Sequence, residues 1–189
     1  MAVFSEITNG EIDPDSPFTT ALATKYRDNP IASHKYVRRA AAGPTVTNRV
    51  VLVDDTVLEF AADASTAYAF KIVCKFLNAG GNVGVRTAID VPAGATLSAG
   101  MFTIEDCATA LMTAAENVAA YITTTDDDPG IFDTGGSVMT SPGVLIEGFV
   151  LTVGAGTVKL RYACGINAPG NSVTIQAGSF LTYHRVDAI

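Results

Sequence analysis

The stretch AYAFKIVCKFL, residues 67–77, decides the fold of this 189-residue chain. Large apolar side chains occupy every second position, and Lys71 and Lys75 lie between them. Because successive side chains of a strand point to opposite faces of a sheet, this alternation predicts a strand with one buried face. The residues predicted to be buried are Tyr68, Phe70, Ile72, Cys74 and Phe76.

The same alternation recurs in GTVKLRYACGI, residues 156–166. Here Lys159 and Arg161 oppose an apolar set, which predicts a second half-buried strand. This set comprises Val158, Leu160, Tyr162, Cys164 and Ile166.

Cys74 and Cys164 therefore lie on predicted core faces. With Cys107 they make three cysteines, an odd number at wide spacing. This is neither a disulfide framework nor a zinc-binding pattern, so we expect all three thiols to be reduced.

Further strands are predicted wherever β-favouring runs lie between turns rich in Gly, Pro, Asn and Asp, one of which is Asp54-Asp55. No rhythm of alternating strands and helices is present, so the sequence predicts a mainly β fold, an antiparallel, jelly-roll-like β-sandwich. The further strands are predicted at residues 49–53, 57–60, 81–89, 94–104, 144–153, 172–176 and 179–186.

One apolar segment, IEDCATALMTAAENVAAYI at residues 104–122, fits two structures. Its alanines and Leu111 recur at helical spacing, but its threonines favour strands. A helix and paired strands both remain open for this segment.

The composition is that of a folded protein, because 48% of the residues are apolar and only 16% are charged. The N-terminus lacks a basic start followed by an apolar run, so we expect no secretory signal and synthesis in a cytoplasm. No apolar run approaches about 18 residues, the length that would predict a membrane span.

Charge is distributed unevenly along the chain. Residues 1–45 hold five basic and five acidic groups, whereas residues 46–189 carry the whole net charge of −7. An acidic body repels nucleic acid and anionic lipid, so neither is an expected partner. The basic stretch HKYVRRAAAGP, residues 34–44, could bind nucleic acid, but we favour a connector that packs on the acidic surface of a neighbour.

The sequence contains no recognisable catalytic, cofactor-binding or metal-binding motif. Ser179 and His184 lie five positions apart on one predicted strand, so they should face opposite sides and cannot form a nucleophile–base pair. Asp126–Asp128 offer carboxylates for calcium, but adjacent carboxylates are poorly spaced for one cation, and we favour a solvated loop. We therefore expect no enzyme activity, no cofactor and no metal.

The segment EIDPDSPFTTALATKYRDNPIA, residues 11–32, is unlike everything that follows it. Two prolines favour a rigid turn, Thr19 or Thr20 can cap a short helix, and Asn29-Pro30 ends that helix. A helix of about ten residues is marginal alone in water, so it must pack on something.

Either the N-terminal region folds back onto its own sandwich, or it reaches a partner. We favour the partner, and we therefore divide the chain into an anchoring arm at residues 1–45 and a sandwich body at residues 46–189. The arm residues expected to contact the partner are Phe4, Ile7, Phe18, Leu22, Tyr26, Arg27, Tyr36, Arg38 and Arg39.

Residues 11–32 also resemble a segment of tailed-bacteriophage virion proteins, in which an acidic Pro-Ser-Pro turn, a Thr-started helix and Arg-Asp-Asn-Pro precede a β-rich body. The C-terminal stretch GTVKLRYACGINAPGNSVTIQAGSFLTYHRV, residues 156–186, is similar to such proteins in its strands and its Asn-containing turn. The resemblance covers residues 6–32 and 142–186. It implies a structural protein of the virion, assembled in the host cytoplasm, with no active site to carry over.

Two roles follow from this resemblance. A capsid decoration (cement) protein would grip the major capsid protein through its arm and stabilise the shell, whereas a tail or fibre component would use its arm to attach and its loops to bind a receptor. We favour decoration because the chain has no long shaft. Its apolar, lightly charged surface predicts association, and a homotrimer suits three-fold capsid sites.

Overall fold

The computed structural model describes residues 19–24, 34–80, 84–104, 119–122 and 143–186. These residues form one short helix, at residues 20–24, and eleven strands. The strands are β1 (His34–Arg38), β2 (Thr45–Thr47), β3 (Val53–Ala62), β4 (Ala67–Ala79), β5 (Val85–Asp90), β6 (Thr96–Ile104), β7 (Ala119–Ile122), β8 (Gly143–Leu151), β9 (Gly156–Cys164), β10 (Ser172–Ile175) and β11 (Phe180–Val186).

The strands form two antiparallel sheets. The large sheet has the order β1-β11-β4-β8-β6-β7, and β10 pairs with both β4 and β2. The small sheet has the order β3-β9-β5. The predicted fold class, a mainly β, jelly-roll-like antiparallel sandwich with a short helix toward the N-terminus, is confirmed.

The stretch that predicted the fold is the central strand of the large sheet. β4 is 13 residues long and pairs with β8 along one edge and with β11 and then β10 along the other. Its five predicted core residues are all buried, and so are the predicted core residues of β9. Ile166 is the exception, because it lies beyond the end of β9 and is half-buried.

The core lies between the two sheets, and aromatic pairs join them. Phe60 of β3 stacks on Tyr183 of β11 with ring centroids 4.1 Å apart, and Phe76 of β4 lies 5.7 Å from Tyr162 of β9. Cys74 and Cys164 are buried in this core as free thiols, as predicted, and Cys107 lies outside the described residues.

The prediction of a strand at residues 49–53 and a turn at Asp54-Asp55 is wrong. β3 begins at Val53 and continues through both aspartates. The turn-forming chemistry is nevertheless present, because the Asp55 carboxylate accepts the N–H groups of Val57 (2.9 Å) and Leu58 (2.7 Å). These bonds coincide with a register shift between Asp54 and Glu59, so the aspartate organises an irregularity within a strand.

Two short strands, β1 and β2, were not predicted. β1 has only five residues and β2 only three, too few for a clear alternation in a stretch interpreted as a basic connector. In the ambiguous segment at residues 104–122, the last four residues form strand β7, and residues 105–118 lie outside the described residues.

The boundary between arm and body was predicted at residue 45. Strand β1, which precedes it, is joined to β11 by five paired residues, and Thr45 pairs with Thr174. The described chain therefore joins the large sheet at His34, within the predicted arm. A separate arm before that residue stays a prediction.

The helix at residues 20–24 begins as predicted. Thr19 is its N-cap, since its Oγ1 accepts the N–H of Leu22 at 3.1 Å and its carbonyl accepts the N–H of Ala23 at 2.9 Å. Leu22 is buried within the chain itself.

Candidate partner-binding surface

The strand that follows the N-terminal region lies at one end of the large sheet. In β1, Val37 packs against the core, and Tyr36 and Arg38 are exposed on the outer face of the sheet. Tyr36 is 60% exposed, and its ring lies 5.6 Å from that of Phe180 on the neighbouring strand. The structure thus presents an aromatic ring and a guanidinium side by side where the chain enters the body.

A buried ion pair fixes the chain immediately after β1. Arg39 Nε and Nη2 each lie 3.1 Å from Asp55 Oδ2, and the two side chains are 6% and 0% exposed. The second carboxylate oxygen of Asp55 accepts the backbone bonds within β3 described above. Because both partners are buried, removal of either one would leave an uncompensated charge inside the protein.

Backbone hydrogen bonds also hold Arg39 and Gly43, and they come from residues 175–179. Arg39 donates its N–H to Ser179 O at 2.9 Å and accepts the N–H of Gly178 at the same distance. Gly43 donates to Ile175 O at 2.8 Å, and a Cβ on Gly43 would lie 2.8 Å from Arg39 Nη1. Residues 39–43 are therefore clamped between β3 and the turn that joins β10 to β11, and we call this region the clamp.

The outer face of the large sheet is unusually apolar. Phe149 and Leu151 of β8 and Phe102 of β6 are exposed on it, and Leu145 and Val73 are half-buried. An ion pair lies at its centre, where Nζ of Lys71 on β4 and Oε2 of Glu147 on β8 are 3.9 Å apart. Three large apolar side chains are therefore exposed together on this face.

A shallow groove of about 260 Å³ lies on this face beside the Phe149 ring. Its floor is formed at Ala69, a small residue, and Thr182 and His184 of β11 border its far side. The groove therefore offers a recess next to an exposed aromatic side chain.

The outer face of the small sheet is charged instead. Lys159 of β9 contacts Asp54 and Asp90, and Arg161 Nε lies 2.9 Å from Asp54 Oδ1. The hydrogen bond from Lys159 lowers the pKa of the Asp54 carboxyl, and the same bond raises the pKa of Lys159. These partly exposed pairs form a hydrated face.

Of the two residues weighed as catalytic candidates, Ser179 has a structural role. Ser179 is buried; its Oγ donates to Gln176 O at 2.9 Å and accepts the N–H of Lys75 at 3.0 Å. His184 lies on the outer face of β11, so the prediction that these two side chains face opposite sides is confirmed.

The buried thiols and a buried tyrosine also serve the core. Burial raises the pKa of the Cys74 thiol well above its usual value, which keeps it protonated and a poor nucleophile. Cys164 donates its S–H to Val46 O at 3.3 Å. Burial raises the pKa of Tyr162 to about 12, and its hydroxyl donates to Pro44 O at 2.8 Å.

Within the described ranges, no group of three or more His, Cys, Asp or Glu side chains is arranged to hold a metal ion. The helix in these ranges is too short to cross a membrane. Asp126–Asp128 lie outside the described residues.

The predicted partner contacts fall into three groups. Tyr36 and Arg38 lie together on the outer face, whereas Arg39 points into the body and Leu22 is buried, so these two have roles within the chain whether or not they also serve a partner. The others lie outside the described residues: Phe4, Ile7, Phe18, Tyr26 and Arg27.

Sequence reasoning missed the outer face of the large sheet. The available signal was the run GVLIEGFVL in β8, which is apolar at both odd and even positions apart from Glu147. Such a run indicates a strand covered on both faces, and the described structure covers only one.

No protein-family model matches this chain, and no curated protein sequence matches it either. Among solved structures, it is similar to the structure of infectious bursal disease virus Gx strain, with 19% identity over 79% of this chain and 40% of that chain, at a TM-score of 0.18. It is also similar to the VP2 subviral particle of infectious bursal disease virus, with 15% identity over 82% of this chain and 38% of that chain, at a TM-score of 0.17. The chain spans less than half the length of these matches, and scores this low carry no argument about function.

Proposed function

We propose that this protein is a non-enzymatic structural protein of a tailed-phage virion that binds the outside of the capsid through its N-terminal arm and stabilises the shell as a decoration protein. The resemblance of residues 6–32 and 142–186 to tailed-phage virion proteins supports this role. The structural observation that carries the proposal is the clamp, because with β1 it fastens the chain to the body within a few residues of the segment that bears the resemblance.

An attachment segment can hold a body on a particle only if the junction between them resists load. β1 contributes five paired residues to the large sheet, and the buried Arg39–Asp55 pair locks the next residue. Tension on the arm would therefore have to break a sheet edge and a desolvated ion pair before it could pull the chain out of the sandwich.

Tyr36 and Arg38 are the exposed side chains nearest to this junction. Tyrosine and arginine are the residue types most often found to dominate protein–protein interfaces, since they combine a large contact area with directed hydrogen bonds. We assign them to the contact with the major capsid protein. The neighbouring Phe180 ring supports Tyr36 from below.

Stabilisation of the shell follows from mass action. A protein that binds the assembled shell but not its dissociated subunits stabilises the assembled form by about 2.7 kcal/mol per site when its free concentration is about a hundredfold above its Kd. This mechanism requires no covalent step, metal or cofactor, and it acts in proportion to the number of occupied sites.

The test is co-sedimentation with capsids that have been stripped of the protein. Wild-type protein should rebind at a copy number that matches the capsid sites, and a variant lacking residues 1–33 should stay soluble and folded but fail to bind. Tyr36→Ala should weaken binding by roughly tenfold or more. Val51→Ala is the matched control, because Val51 is equally exposed but precedes β3 of the small sheet.

The outcomes separate decoration from the alternative role. A copy number that matches the tail, or binding to purified tails and not to capsids, would contradict the proposal and establish the tail or fibre role instead. Unfolding of the truncated variant would show that the N-terminal region folds back onto its own sandwich.

A further inference from the structure

We infer that the outer face of the large sheet binds a second copy of this chain, about a two-fold axis that runs parallel to β4 and β8 and passes between them. The inference goes beyond the proposed function and concerns the free protein; Tyr36 and Arg38, which we assign to the capsid contact, lie at the β1 edge of the same face. It rests on three features of that face: the register of β4 against β8, the central charge pair and the symmetry of the sheet.

The register places a large side chain opposite a small one. Phe149 is paired across the strands with Ala69, and Leu151 with Ala67. Rotation about the proposed axis exchanges β4 with β8, so Phe149 of each copy faces Ala69 of the other. The groove of about 260 Å³ above Ala69 is the recess that would receive the ring, and Phe149 is 59% exposed beside it.

The charges are complementary about the same axis. Lys71 and Glu147 are also paired across β4 and β8, so the rotation places Lys71 of each copy over Glu147 of the other. The two existing pairs become a square of alternating charges at the centre of an apolar surface. A different axis, perpendicular to the strands through this row, would put Lys71 against Lys71.

The main path of strands is balanced about this axis. Three of its strands lie on each side, β1-β11-β4 and β8-β6-β7, and β10 and β2 add to the β4 side at the far end of β4. One row of side chains across the sheet is apolar from β6 to β11. The rotation places this row of one copy over the same row of the other copy. The row is Phe102, Leu145, Val73 and Phe180.

The face is large enough for a stable pair. Strands lie about 4.8 Å apart and rise about 3.4 Å per residue, so five strands of about eight residues present roughly 650 Å². A standard protein–protein interface buries about 600–1,000 Å² on each partner, so this face lies at the lower end of that range. Stacked sheets pack with their strands nearly aligned and about 10 Å apart, which an axis parallel to the strands allows.

The first test is the mass of the full chain in solution by sedimentation or light scattering across the micromolar range. The wild-type protein should form pairs, and Phe149→Ala should weaken pairing by roughly tenfold or more. Val51→Ala is again the matched control, because Val51 is also 59% exposed and lies away from this face. The double variant Ala69→Phe/Phe149→Ala exchanges the large and small side chains and should recover pairing.

The charge row supplies a second, independent test. Lys71→Glu places carboxylates opposite one another in a pair, and Glu147→Lys places ammonium groups opposite one another, so each variant alone should pair poorly. An equimolar mixture of the two should form mixed pairs, because every charge then meets its opposite.

Three results would overturn the inference. They are a single-copy mass for the wild-type protein, a mass of three copies, and a pair that neither Phe149→Ala nor the charge reversals weaken. The mass of three copies would support the trimer predicted from the sequence. Capsid binding is measured separately, by the co-sedimentation experiment.

Discussion

The two outer faces of the sandwich differ in what they present to the surroundings. On the small sheet, Lys159 and Arg161 meet Asp54 and Asp90 in a network that water can reach. On the large sheet, aromatic and aliphatic side chains surround one ion pair. The two sheets therefore differ in their surface chemistry: the small sheet presents ion pairs to the solvent, whereas the large sheet presents exposed apolar side chains.

The comparison is sharpest at two adjacent residues of β3. Asp54 is 42% exposed on the small sheet's outer face, whereas Asp55 is fully buried and holds the clamp. The same type of residue therefore has two different roles at adjacent positions. Substitutions at the two sites should differ greatly in how much they lower the free energy of unfolding.

Loss of the Asp55 carboxylate should have the largest effect. Asp55→Ala leaves Arg39 buried without its partner and removes the acceptor for two N–H groups, so the free energy of unfolding should fall by about 3–5 kcal/mol. Urea denaturation measures it. Asp54→Ala is the matched control and should cost less than about 1 kcal/mol; equal losses would show that the buried pair is not what holds the clamp.

Substitutions on the inner side of β8 should lower the free energy of unfolding more than substitutions on its outer side. A Cβ on Gly148 would lie 2.6 Å from Ala99 Cα, so Gly148→Ala forces β8 and β6 apart and should cost about 1–3 kcal/mol. At the adjacent position, Phe149→Ala should change the free energy of unfolding of the single chain by about 0.5 kcal/mol or less, as exposed substitutions usually do. Thermal unfolding at high dilution measures both, and a greater loss from Phe149→Ala would mean that this ring stabilises the single chain.

A small effect on the free energy of unfolding should also come from the charged face, and it should depend on pH. Because the folded state lowers the pKa of Asp54, its contribution is present above about pH 4 and is lost as the pH falls through the folded value. Asp54→Asn should therefore cost about 0.2–1 kcal/mol at neutral pH. In strong acid the free energies of unfolding of the variant and the wild type should converge. A difference that stays constant at every pH would exclude the ion pair as the cause of the loss.

The core strands could be predicted from the sequence because their periodicity is simple. In β4 and β9 the charged positions are lysines and an arginine, and they mark the outer face. Residues 49–53 could not be placed correctly, because adjacent aspartates favour a turn locally and only the tertiary pairing of Asp55 with Arg39 shows that the strand continues.

The candidate surface was predicted less completely than the fold. Tyr36 and Arg38 were identified because a basic stretch with an aromatic residue is conspicuous in an acidic chain. Phe149 and Leu151 were missed, since an apolar run such as β8 gives the same pattern whether its second face is covered within the chain or by another molecule. Which of its faces is covered depends on the topology of the whole sheet.

The central claim, that this protein stabilises a capsid from outside, is tested most directly by the temperature at which virions rupture. Stripped particles should rupture at a lower temperature than intact ones, and added wild-type protein should restore resistance even in the presence of a chelator. Protein lacking residues 1–33 should restore nothing. If stripped particles were as heat-resistant as intact ones but failed to adsorb to host cells, the decoration role would be contradicted.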